Sequence, residues 1–174
     1  MRADKRFATN NLNRDFVGTR GFSVVFHGAA RARVEDEFPH FAPFLQLALR
    51  PDCNAFYLNP LELVQGSRVD PHIDRSLRAY CKTVSMPLAV SVLYAQVPQG
   101  LRGGALVLAR GRKVLARVAP VEDLTVEFAG DLTHSIERME SPGARLSLVC
   151  EQYALEPAEL LQVPEFAIES RARY

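Results

Sequence analysis

The chain has 174 residues, of which 48% are apolar and 24% charged, with a net charge of +1. That is a globular mixture in a length suited to one domain with one sizeable core, and it excludes a disordered chain, a collagen and a coiled coil. No stretch approaches the roughly 18 uncharged apolar residues of a membrane span, and no apolar run follows the basic start at 1–10, so a cytoplasmic protein with no membrane segment is expected. Cys53, Cys81 and Cys150 are odd in number and show no metal-type spacing; they read as free or buried thiols in a reducing compartment.

Charge is unevenly distributed. Residues 68–117 hold nine basic side chains against two acidic, and residues 118–174 hold four against eleven. This fits either two solvated or mutually attracting halves, or a basic rim for an anionic ligand. No segment interleaves enough aromatics with its basic residues to form a nucleic-acid groove.

In chain order, 22–27 reads as a strand. Residues 31–38 and 41–49 read as two short helices, with Phe38, Phe41, Phe44, Leu45 and Ala48 at helical spacing. Pro39 and Pro43 place a break between them. From residue 53 the chain becomes a series of β-rich runs: 54–59, 62–64, 68–74, 83–95, 104–110, 113–118, 123–128, 132–137 and 144–153. Arg110-Gly111-Arg112 marks a hairpin. Alternation of Leu124, Val126 and Phe128, and of Leu146, Leu148 and Cys150, marks half-buried strands. A short helix at 157–162 and a loose end complete the chain. The expected organisation is one domain, 1–174. Residues 1–53 supply a strand and buttressing helices, 54–153 a β-sandwich or barrel, and 154–174 a tail.

Four places carry chemistry. His72 and Asp74 stand at i and i+2, which on a strand puts imidazole and carboxylate on one face. With a second, distant histidine they would make a two-His, one-carboxylate set, which leaves positions open on a six-coordinate ion. His134 follows Asp74 by 60 residues, and alone it reads equally as a hydrogen-bonded strand end. Arg145 and Ser147 share the face of their strand opposite Leu146, Leu148 and Cys150. A buried guanidinium needs a partner, and Arg with Ser can hold a carboxylate; a solvent-facing Arg is the alternative. Gly103-Gly104 permits a sharp bend or a close backbone approach. His27 and His40 read as structural or exposed, and Cys150 as core.

Taken in order, His72-Ile73-Asp74, Leu93-Tyr94, Gly103-Gly104-Ala105-Leu106, His134 and Arg145 resemble the Fe(II)/2-oxoglutarate-dependent oxygenases, most of all the prolyl 4-hydroxylase-like branch. The resemblance spans residues 54–153. It implies a mainly β fold, a double-stranded β-helix (jelly roll, cupin-like barrel) buttressed by the N-terminal helices. It implies Fe(II) on His72, Asp74 and His134. It also implies 2-oxoglutarate with its distal carboxylate on Arg145, aided by Tyr94 and Ser147, with Tyr57 as a further pocket residue. O2 would be the second co-substrate, and ascorbate would keep the iron reduced. The implied reaction is hydroxylation of a protein or peptide side chain, with proline among the candidates, or of a free amino acid, as 2-oxoglutarate becomes succinate. The basic segment places Arg75, Arg78 and Arg102, with Lys82, on a substrate rim. A nucleobase or RNA hydroxylase stands as an alternative, though the lip lacks stacking aromatics. A non-catalytic cupin-like metal-binding or scaffolding module is the other.

Overall fold

A computed structural model of the chain describes residues 15–170. The strands are β1 (Phe16–Gly21), β2 (Ser23–His27), β3 (Ala55–His72), β4 (Ala89–Gln96), β5 (Leu106–Arg110), β6 (Lys113–Val118), β7 (Thr125–Ala129), β8 (Thr133–Ile136), β9 (Ala144–Tyr153) and β10 (Phe166–Glu169). Three short helices, α1 (Arg31–Glu37), α2 (Ala42–Ala48) and α3 (Pro157–Leu160), accompany them. The strands form one curled antiparallel sheet in the order β6-β5-β8-β3-β9-β4-β7, with β1 and β2 on β3 and β10 on β2. This is the expected jelly-roll architecture.

β3 organises the curl. Along one edge it pairs with β9 from Ala55 to Val64, then with β8 at Val69 and His72. Between the two, Gly66 has φ +87°, and the Ser67 hydroxyl accepts from the Val64 N–H and donates to the Gly18 carbonyl. The strand turns there, so β9-β4-β7 and β8-β5-β6 branch from one strand, and β9, β4 and β7 face β8 and β5 across a cavity.

Three separate runs were expected where β3 is continuous over 18 residues. Pro60 lies within this strand. It falls between the register of β2, which ends at Leu58, and that of β1, which begins at Leu61. Its missing N–H therefore interrupts neither neighbour. The expected strand at 83–95 begins only at Ala89, after Pro87, and the one at 104–110 only at Leu106, because Gly103 and Gly104 have positive φ. β1 was not anticipated. The tail is not a loose end over 166–169, where β10 pairs with β2; residues 171–174 lie outside the described part.

β9 separates the interior into two environments. Its outward residues Leu146, Leu148 and Cys150 join Leu58 and Phe56 of β3 and meet Val34, Phe38, Phe41, Phe44 and Leu45. Each fully buried side chain of this kind contributes about 1.5–3 kcal/mol. Pro39 ends α1, since the preceding Phe38 is pushed out of helical geometry (φ −132°, ψ 70°), and α2 restarts near Pro43, as the two prolines predicted. The helices thus buttress the outer face of the sheet. Leu148→Ala should lower stability by about 2–5 kcal/mol, seen as a reduced urea midpoint with an unchanged m-value.

Candidate metal centre

His72 ends β3 and His134 lies in β8, and the register sets them directly opposite one another. Their ring centroids are 4.3 Å apart. Asp74 reaches between them, with Oδ1 3.2 Å from His72 Nε2 and Oδ2 3.3 Å from His134 Nε2. Ligand atoms of all three residues lie within 4.8 Å of one another.

The far nitrogen of each ring is already committed. His72 Nδ1 lies 2.8 Å from the Asp70 carbonyl and His134 Nδ1 3.3 Å from the Leu132 carbonyl. A carbonyl only accepts, so each Nδ1 carries the proton and each neutral ring turns an Nε2 lone pair toward Asp74. His72 Nε2 is buried and makes no hydrogen bond. Two lone pairs and a carboxylate facing one another repel unless a cation, either a metal ion or an added proton, lies among them. The donor set therefore fits a divalent ion of the type held by two histidines and one carboxylate. Burial alone would raise the Asp74 carboxyl; the flanking imidazoles of His134 and His72 hold it well below the usual carboxylate range. Burial opposes protonation of His72, but Asp74 outweighs it and its pKa is raised. Phe16 packs on the His72 ring and Phe128 on that of His134, at 5.4 and 5.1 Å between centroids.

A second polar cluster lies on the inner face of β9. Arg145 and Ser147 are both fully buried, and Tyr94 of β4 pairs in register with Ser147. Arg145 Nη1 donates to the Gly104 carbonyl at 2.6 Å. Its Nε and Nη2, the Tyr94 hydroxyl and the Ser147 hydroxyl have no partner. Buried polar atoms left unpaired are rare, because each costs about 1–3 kcal/mol. Four of them converging around a guanidinium fit an acceptor with two oxygens, a carboxylate above all. Burial pulls the Arg145 pKa down to about 10, so the group is still a cation at neutral pH. Gly103 and Gly104 acquire a purpose here. Their φ values of +73° and +71° carry the chain past Met139 and aim the Gly104 carbonyl at Arg145, and a Cβ on Gly103 would lie 2.0 Å from the Arg138 carbonyl oxygen.

Both clusters open into one cavity of about 450 Å³, within the range of small-molecule sites. His72, Asp74, His134, Tyr94, Arg145 and Ser147 line it, as does Tyr57, whose phenol is raised by burial. Arg75, Arg78 and Lys82 also line it; Arg102 does not. His27 is bound to the Val163 carbonyl at 3.0 Å and His40 packs on Phe38 and Phe41, both apart from the cavity. All three cysteines are buried and unpaired.

Sequence reading overlooked Glu151. It shares the inner face of β9 with Arg145 at an even spacing of six, which was the available signal. It lines the cavity, accepts from the Ser76 N–H at 3.1 Å and the Ser76 hydroxyl at 2.5 Å, and is bonded to the Tyr153 hydroxyl. Burial, followed by the nearby charge of Asp74, pushes its carboxyl up to about 8.

No family model matches the chain, and no curated protein does. Solved structures do. A Pseudomonas putida prolyl-4-hydroxylase is 18% identical with a TM-score of 0.55, over 85% of this chain and 78% of the other. The fold is that of the prolyl-4-hydroxylases. A 2OG-Fe(II) oxygenase family oxidoreductase from Burkholderia pseudomallei is 14% identical with a TM-score of 0.50, over 79% and 66%. A Trichoplax adhaerens prolyl hydroxylase, in complex with a hypoxia inducible factor peptide fragment, is 13% identical with a TM-score of 0.51, over 84% and 70%.

Two consequences can be measured. When unfolded, Glu151 titrates near 4.5, and when folded at about 8. Between those values the folded chain keeps a proton that the unfolded chain has released. Stability of the metal-free protein should therefore fall as pH rises from about 5 to 8, by at most about 1.4 kcal/mol per pH unit from this group. Glu151→Gln should flatten that slope in urea unfolding followed across pH; an unchanged slope would place the titration elsewhere. Gly103→Ala should cost more than about 1 kcal/mol in thermal unfolding, because it joins a positive φ to a backbone collision.

Proposed function

We propose that the protein is an Fe(II)- and 2-oxoglutarate-dependent oxygenase that hydroxylates a protein or peptide side chain, with proline and free amino acids among the candidates. One observation carries this reading. A two-His, one-carboxylate cluster shares a cavity with a buried, unsatisfied cation built to take a carboxylate.

In this reading His72, Asp74 and His134 hold Fe(II), and Arg145 takes the distal carboxylate of 2-oxoglutarate through Nε and Nη2. Tyr94 and Ser147 donate their free hydroxyls to the same group. Iron so placed supplies oxygen activation coupled to decarboxylation of 2-oxoglutarate to succinate. The chain does the rest. The Asp70 and Leu132 carbonyls fix the tautomers of the two histidines. The Gly104 carbonyl takes Nη1 of the guanidinium and leaves Nε and Nη2 for a bidentate grip. Val92, Leu106, Ile136 and Val149 make the wall between the polar clusters apolar and keep water from them. The peptide held by the Trichoplax prolyl hydroxylase supports a peptide substrate. No helix among the described residues is long and apolar enough to cross a membrane; three unpaired buried thiols suit a reducing, cytoplasmic setting, with ascorbate keeping the iron ferrous.

Anaerobic addition of Fe(II) and then 2-oxoglutarate, followed in the visible, tests the reading. A band that requires both is expected; its absence from folded protein with ferrous iron would favour a binding module without turnover. His134→Ala should abolish the band. Arg145→Leu should retain iron and raise the 2-oxoglutarate concentration for half-saturation by about 10- to 100-fold, the loss of a charge-assisted pair. Normal co-substrate affinity in that variant would make Arg145 purely structural.

A further inference from the structure

The segment that follows Asp74 is a rigid cationic platform. A 3₁₀ turn at Ser76–Ala79 is anchored from beneath in three ways. Ser76 bonds to the buried Glu151 through both backbone and hydroxyl, and Leu77 and Cys81 are buried with Val84 and Tyr153. The Arg78 guanidinium is pinned to the Lys82 carbonyl, through Nε at 3.2 Å and Nη2 at 3.0 Å. What the platform presents outward is Arg75, Arg78, Ala79 and Lys82. All four are exposed, and all four line the mouth of the cavity that holds the proposed iron ligands.

These cations have no counter-charge. Arg31, Arg50, Arg68, Arg110 and Arg117 each hold a carboxylate. Arg75, Arg78 and Lys82 make no ion pair with a described residue, and the only polar partner of the Arg78 side chain is a carbonyl. Three cations without ion pairs at the entrance of a reaction cavity raise the local concentration of anions and disfavour cations.

We propose that this platform docks an acidic peptide segment, with carboxylate side chains flanking the residue that enters the cavity. An extended segment is favoured over a small acid because the cations are spread over eight residues of chain, from 75 to 82, and offer more than one charge to meet. It is favoured over a nucleic acid because the exposed large hydrophobic side chains of the described residues include no aromatic on which a base could stack. What happens to the docked segment rests on the oxygenase reading; the docking does not.

The experiment uses the full chain and fluorescein-labelled peptides with a central proline flanked on both sides by two glutamates, two serines or two lysines. An oligothymidylate of equal charge is included. Anisotropy is measured with Fe(II) and 2-oxoglutarate under nitrogen. The glutamate peptide should bind at least 10-fold more tightly than the serine peptide, and the lysine peptide should not bind. Raising salt from 50 to 300 mM should weaken binding several-fold. Arg78→Glu with Lys82→Glu should weaken it at least 10-fold while leaving the visible band intact, whereas Arg78→Lys with Lys82→Arg should retain it. Equal binding of the glutamate and serine peptides, indifference to the charge reversal, tighter binding of the oligothymidylate, or displacement by equimolar free glutamate would each overturn the proposal. Charge-dependent binding without the visible band would keep the docking and sink the oxygenase reading. The band with no charge dependence would do the reverse.

Discussion

The alternation of β9 is the constraint on which the molecule depends. Even-numbered positions from Leu146 to Cys150 are apolar and face the helices; odd-numbered positions from Arg145 to Glu151 face the cavity. A slip of one residue would drive a guanidinium and a carboxyl into the Phe cluster and expose the leucines to the cavity. Burying those charges without partners would cost more than any neighbouring register could recover. The pairing with β3 is therefore unambiguous, and β3 carries that certainty to its own end, where His72 meets His134. Hydrophobic packing on one side of a strand thus sets the separation of two imidazoles on another.

The cavity divides its labour along this frame. At one end sit a guanidinium and two hydroxyls with unused hydrogen-bonding capacity. In the middle, three ligand atoms face one another across a few ångströms. Toward the mouth, Glu151 holds the segment that leaves Asp74. Each group is buried against its own solvation preference. The surrounding β-structure enforces each arrangement, and such enforced local cost is typical of sites that bind and react.

Much of this was legible beforehand, because strands advertise themselves by period two. The faces of β9, the hairpin of β5 and β6, and the break between Pro39 and Pro43 followed from spacing alone. His72-Ile73-Asp74 was meaningful only in combination, since a strand reading puts two side chains on one face but cannot supply the third. That third, His134, needed the resemblance in motif order. What escaped did so for physical reasons. β1 and β10 are edge additions whose partners are remote in sequence. The continuity of β3 through Pro60 depends on where two other strands begin and end. Glu151 carries no motif, and its environment is made by Ser76 and Tyr153, which sequence order keeps apart. Arg102 seemed to belong to the rim by charge, but it is not among the residues that line the cavity.

The sheet is curled but not closed, and β6 stands at one end of it with β5 as its partner. A free strand edge is a template on which another molecule can add a strand. β6 has the composition for that, with Val114 and Leu115 exposed. It also carries Lys113 and Arg117, the latter clamped to Glu137 across the sheet. These two charges lie away from the cavity and do nothing for its chemistry. Charges on an exposed strand disfavour the addition of a second strand, so Lys113 and Arg117 would oppose edge-to-edge pairing of β6.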